Sequence, residues 1–235
     1  MIVREQGDEY LLITQHDHGL LAGEFAVNWR FQLDQMTSTL FAIAYHDVAW
    51  RELDKEICWN EDSGAPYSFI DFPLVPKLPA YKRGIDRIQA EDAYAGALCS
   101  LHFASFFSTA VEEEAIRFYR SEQERQQQLR TCLGECVWQT VAANYKLLQF
   151  CDDLSLFICL NEPGVNHFPW YKEGILYQGE TWLPQWEGKY SIRLQPNPFR
   201  QSFTLTIPYQ RVNKKREWLN RGSYQVVILG NDTES

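Results

Sequence analysis

No stretch of this chain approaches the roughly 18 consecutive apolar residues that a membrane-spanning helix requires, although 45% of its 235 residues are hydrophobic. Membrane insertion is therefore not expected. Positive charge is also in short supply: 22 Lys and Arg stand against 31 Asp and Glu, a formal net charge of −9. A phosphate backbone would meet repulsion over most of such a surface. The expected partner is a small-molecule substrate or ligand, and not nucleic acid. None of the six cysteines stands in a CxxC pair, and most fall within apolar helical patterns, where free Cys behaves as a small hydrophobe. They read as reduced thiols, which argues against a cysteine zinc site. Residues 1–15 lack the basic region and apolar core of an export signal, so a cytoplasmic protein is expected. Internal repeats and low-complexity segments are absent.

What is present is a helical pattern followed by a β-rich one. Residues 2–4 and 10–14 flank Gly7-Asp8 and predict a short β-hairpin. A helix follows, capped by Thr14 and running to about residue 30. On it His18, Leu21, Ala22, Phe25 and Trp29 share one face, so His18 points inward, whereas His16 lies toward the polar side. A second helix, beginning near the caps Thr37-Ser38, is apolar almost all round and reads as central and buried. It carries LFAIAYHDVAWRELD at residues 40–54, with the adjacent pair His46-Asp47. The proline density of residues 58–83 predicts an irregular aromatic loop, with Trp59, Tyr67 and Phe69 as a candidate binding wall.

A third helix reads over residues 90–107 and places His102 inward with Tyr94, Leu98 and Leu101; residues 111–133 read as a solvated amphipathic helix. Beyond Gly134 a fifth helix contains Asp152-Asp153. Its stripe of Val141, Tyr145, Leu148, Asp152, Ser155 and Cys159 selects Asp152 as the buried carboxylate, while Asp153 falls over Lys146 and Gln149. Past Pro163-Gly164, β-rich runs at 188–194, 202–212 and 223–229 predict an antiparallel sheet that the N-terminal hairpin joins. His167 lies in the loop between these regions. The fold class expected is mainly α, divided into a helical metal-site region with the hairpin over residues 1–161 and a β-rich appendage packed on it over residues 162–235.

Inward histidines and an inward carboxylate need hydrogen bonds or a cation. Their order, His18, then His46-Asp47, then Asp152, resembles the H, HD, D pattern of the HD-domain superfamily, and CDDLSL resembles its last motif. More closely, QHDHGLLAGEFAVNW, AYHDVAW, SGAPYSF, SLHFASFF and LLQFCDDLSLFICL resemble an uncharacterised bacterial family of HD-like proteins, a domain of unknown function. The resemblance implies an HD-like helical bundle whose His18, His46, Asp47 and Asp152, with His102 as an extra ligand, bind a divalent metal. Imidazole and carboxylate donors suit Mn, Fe, Co, Ni or Zn. The implied activity is hydrolysis of a phosphoester, with Asp47 and His102 catalytic and Lys82-Arg83 offsetting substrate charge. Two alternatives stay open: a non-catalytic metal- or ligand-binding protein, and a binuclear iron oxygenase.

Overall fold

In the computed structural model, which describes residues 1–30 and 34–231, the chain opens with a hairpin. Strands β1 (Ile2–Gln6) and β2 (Glu9–Ile13) pair antiparallel around Gly7, whose φ of 62° suits glycine. Thr14 caps α1 (Gln15–Val27), its hydroxyl accepting the Asp17 backbone N–H at 3.0 Å. Helix α2 (Met36–Tyr45) begins one residue before the expected caps, after Gln35 in a left-handed conformation. It is half-buried and not central: Thr39, Ala42 and Ile43 form its buried face. A single turn, α3 (Trp50–Leu53), follows the His46-Asp47 pair.

The expectation of an irregular segment to residue 83 is corrected by α4 (Leu74–Glu91). Pro73 is its N-cap and Pro76 lies in its first turn, where a backbone N–H has no helical partner to lose. Only Pro79 stands inside the helix, at the loss of one hydrogen bond. The third expected helix likewise shortens to α5 (Ala93–Ser105). Asp92 is extended there, ending α4 and capping α5 by accepting the Ala95 N–H at 2.8 Å. Helices α6 (Glu113–Leu133) and α7 (Glu135–Leu160) meet at Gly134.

A short turn, Pro169–Tyr171, leads into β3 (Ile175–Tyr177), β4 (Glu180–Trp186), β5 (Ser191–Gln195), β6 (Phe203–Asn213) and β7 (Trp218–Leu229). The hairpin and these strands form one seven-stranded sheet in the order β1-β2-β6-β7-β5-β4-β3. It is mixed, because β5 and β7 run parallel. The mainly α expectation is therefore wrong: helices and a large sheet share one core. Residues 175–186 hid two of the strands, since Gly179 and Pro184 interrupt the alternation. Pro184 and Pro208 are tolerated because each lies where its strand has a neighbour on one side only. Aromatic rings join sheet to helices: Phe150 of α7 stacks on Tyr177 at 4.6 Å between centroids, and Trp29 meets Phe150 edge-on at 5.6 Å. Fully burying such a ring contributes about 1.5–3 kcal/mol. Among the described residues no helix is long and apolar enough to cross a membrane.

Glycines set how closely the site-bearing elements approach. A Cβ on Gly23 of α1 would lie 2.7 Å from the Ala44 Cβ of α2, and one on Gly84 of α4 would lie 2.6 Å from the Ala49 Cβ just past the His46-Asp47 pair. Backbone bears on Gly84 too, with the Ala49 Cα at 2.9 Å, so an added methyl forces the turn away. Gly84→Ala should destabilise the protein by about 1–3 kcal/mol through overpacking. Thermal unfolding checks this, and an unchanged or higher melting temperature would refute the close-approach account.

Candidate functional site

Three helices and one turn deliver the site. His18 leaves the first turn of α1, its backbone N–H bonded to Thr14 O at 3.1 Å. His46 caps the C-terminus of α2, and Asp47 opens a tight turn in which the Trp50 N–H bonds Asp47 O at 3.0 Å. Helix α7 supplies Asp152, and α5 supplies His102. His18, His46, Asp47 and His102 are all at most 4% exposed. His18 Nε2 lies 3.3 Å from Asp47 Oδ2 and 3.2 Å from Asp152 Oδ1; His46 Nε2 lies 3.7 and 3.4 Å from the same two oxygens. The His46 and His102 rings meet edge-on at 4.8 Å.

Outer hydrogen bonds fix what these imidazoles present to the centre. His46 Nδ1 lies 2.7 Å from the Ile43 carbonyl, which can only accept, so Nδ1 carries the proton. His18 Nδ1 lies 2.6 Å from Ser155 Oγ, and that hydroxyl donates to the Asp152 carbonyl at 2.8 Å, so His18 Nδ1 is the donor here too. In the neutral form both Nε2 atoms then face the two carboxylates with lone pairs. Both are buried and neither makes a hydrogen bond of good geometry. Lone pairs opposed to carboxylates repel unless positive charge lies between them, and a ring nitrogen oriented through its other N–H is the usual state of a metal-ligating histidine. Two sets of donor atoms, His18/His46/Asp47 and His46/His102/Asp152, lie within 4.8 Å of one another. These buried His and Asp groups can hold a metal ion.

The electrostatics lead to the same conclusion. Burial, the largest influence, lowers the His18 pKa, yet Asp152 and Asp47 together outweigh it and raise the pKa to about 9. His46 is raised against burial by the same two carboxylates. Burial favours protonating Asp47 and Asp152, but the imidazoles hold Asp47 below and Asp152 well below its ordinary value. His102 differs: burial, reinforced by His46, drives it down to about 4, so its ring is neutral near pH 7. Its neutral ring presents one lone pair and no imidazolium proton, which suits a ligand better than a general acid.

The centre is the floor of a cavity of about 430 Å³. Of the residues proposed from sequence, His18, Asp47, His102 and Asp152 line it, and His46 packs behind them. Lys82 and Arg83 do not line it. They lie on the exposed side of α4, Lys82 paired with Asp86 at 3.0 Å and Arg83 with Glu52 at 2.7 Å. The lining cation is Lys77, one turn earlier. Of the expected aromatic wall only Phe69 reaches the cavity; Tyr67 packs on Phe72, and Trp59 packs on Tyr10 beneath Arg216. His16 is half-buried beside Tyr45, and His167 is exposed and belongs to neither donor set.

Sequence reasoning missed Gln15, whose Nε2 donates to Asp47 Oδ2 at 3.1 Å, and the orienting role of Ser155. It also turned Asp153 outward. That carboxylate lines the cavity, accepts from the Tyr171 hydroxyl at 3.4 Å, and is raised to about 7 by burial and by Asp152. Lys77 carried a readable signal, because it shares the α4 face of Tyr81, Gly84 and Ile88.

The chain belongs to the family described as protein of unknown function DUF3891, whose model matches residues 1–214. No curated protein and no solved structure matches it.

A pH dependence follows from the site. With a folded-state pKa of about 9 against an ordinary 6.5, His18 in the metal-free protein contributes stability that is complete below pH 6.5 and lost as pH rises through about 9. A dication competes with the protons on those nitrogens, so its binding strengthens as pH rises. Chelated protein should therefore lose melting temperature between pH 6.5 and 9, while protein with Mn or Zn holds or gains it. Scanning fluorimetry with and without chelator checks this, and identical profiles would count against a shared proton and metal site.

Proposed function

We propose that this member of DUF3891 is a metal-dependent hydrolase of a small-molecule phosphoester, with His18, His46, Asp47 and Asp152 holding a divalent Mn, Fe, Co, Ni or Zn ion. The observation that carries this reading is the pair of oriented Nε2 lone pairs facing two carboxylates, the buried Asp47 and the partly buried Asp152, at the floor of a cavity. The chain order His18, His46-Asp47, Asp152 supports it through the resemblance to HD-type phosphohydrolases. A divalent ion so placed lowers the pKa of coordinated water toward neutrality and supplies a nucleophile. The chain's own part is positional. Ser155 and the Ile43 carbonyl hold the imidazoles in register, and Gln15 holds Asp47 where its free oxygen can orient water. His102 adds a neutral donor beside His46. Apolar walls limit competing solvent and strengthen the charges within.

The aromatic lining favours a second reading, an iron-dependent oxygenase using the same ligands, because phosphate recognition ordinarily draws on several cations and this cavity is lined by one lysine. Metal content and substrate separate the two.

Protein purified without chelator or nickel affinity should retain a transition metal, and His46→Gln should lose it. Assayed with Mn, Co, Ni and Zn over phosphomonoesters and phosphodiesters, the wild type should turn over at least one substrate class. Asp47→Ala and His102→Ala, each removing a donor to the metal, should each lower turnover by roughly 10²-fold. Iron retention with substrate-dependent oxygen uptake and no hydrolysis would replace the first reading by the second. Metal retained with neither activity would leave a metal-binding protein.

A further inference from the structure

The cavity is chemically two-sided. Its floor carries the donor cluster, while its walls and mouth are apolar: Phe69, Leu156, Ile70, Phe106 and Trp170. The last three expose 53%, 55% and 52% of their surface, respectively. Large side chains half-exposed around one opening are costly to leave wet and mark a binding surface. Phe69 and Trp170 meet edge-on at 6.2 Å and make a ring-sized wall.

Against this wall stands one cation. Lys77 is 8% exposed, its Nζ lies over the Trp50 ring 5.8 Å from the centroid, and Nζ donates to the Phe69 carbonyl at 3.1 Å. That carbonyl is its one hydrogen-bond acceptor among the described residues, so two of the three donors of an ammonium remain for a ligand. Burial lowers the Lys77 pKa, and the acidic side chain opposing that pull is Asp71. A buried ammonium with spare donors beside apolar walls complements one anionic group. Several phosphates would find no further Lys or Arg among the lining residues and would face Asp153 as well.

We propose that the cavity takes a ligand with an apolar, ring-sized body and, besides the group that reacts at the donor cluster, a single anionic group, and that Lys77 is the specificity residue holding that group while the body lies against Phe69, Phe106 and Trp170. This deepens the hydrolase reading and rests on it for the reacting end of the ligand, which lies toward the donor cluster. Nucleoside triphosphates and other polyanions are excluded as the preferred class.

The test titrates the full-length protein, as purified, with 4-phenylbutyrate, its uncharged counterpart 4-phenylbutanol, and tripolyphosphate. Binding is followed by tryptophan fluorescence, and metal content is measured on the same preparation. Phenylbutyrate should bind about tenfold or more tightly than the alcohol, the scale of a charge-assisted hydrogen bond, and tripolyphosphate should bind weakest. Lys77→Met should collapse the carboxylate preference toward parity, and Lys77→Arg should restore most of it. Both variants should unfold cooperatively near the wild-type temperature, since Met and Arg are close to Lys in length and fill much of the same space. Tighter binding of tripolyphosphate, or an undiminished carboxylate preference in Lys77→Met, would overturn the proposal. A Lys77-dependent preference in protein that holds no metal under any loading condition would leave the ligand class standing and remove the hydrolase reading instead.

Discussion

Two buried imidazole nitrogens and two carboxylates, Asp47 buried and Asp152 largely so, within 3.2–3.7 Å of each other, are the arrangement on which the rest of this molecule depends. A carboxylate taken out of water loses several kcal/mol of hydration, which nearby positive charge and hydrogen bonds offset. Protons can supply that charge, which is why the two histidines titrate high. A dication can supply it too, on the same lone pairs. The surroundings serve this constraint. Gly19 and Gly23 let α1 lie against α2 so that His18 reaches His46, and Gly84 lets α4 press on the turn that carries Asp47. Gln15, Ser155 and the Ile43 carbonyl take the outer hydrogen bonds.

The donors were legible because helical periodicity is a strong signal on long, regular helices. His18, His102 and Asp152 each fall on an apolar stripe of a helix at least 13 residues long. Asp153 shows the limit of that method. It lies beside the stripe on α7, but the turn at Pro169–Tyr171 packs over that shoulder and buries it, so a position that periodicity assigns to solvent becomes a cavity wall. Burial contributed by a segment distant in sequence leaves no trace in local spacing. The same holds for Gln15, which is inward because Asp47 lies opposite it.

The sheet and α4 were misread for a different reason, the weight given to proline and glycine. A proline removes one donor, and that is harmful only where the donor has a partner. Pro73 and Pro76 stand where a helix begins, and Pro184 and Pro208 where a strand has one neighbour. Once α4 is known to begin at Leu74, its periodicity assigns the charges correctly. Lys77, Tyr81, Gly84 and Ile88 form the inner face, and Lys82, Arg83 and Asp86 the outer one. The adjacent cations of Lys82-Arg83 were conspicuous because they are solvated, and the one that lines the cavity stood alone among apolar residues.

That separation of charge bears on what the site can do. Apolar walls around an ion centre lower the local dielectric, so each ligand and each stray charge acts more strongly than it would in water. A metal ion balanced by Asp47 and Asp152 leaves Lys77 as the cation of the cavity, with Asp153 opposing any excess negative charge. Under those conditions a ligand gains by bringing one charge to the lysine and apolar surface to the walls, and loses by bringing more charge than the lysine can meet. The pocket therefore discriminates by charge count as much as by shape. The means of doing so is the scarcity of basic residues that the chain's acidic composition already displays.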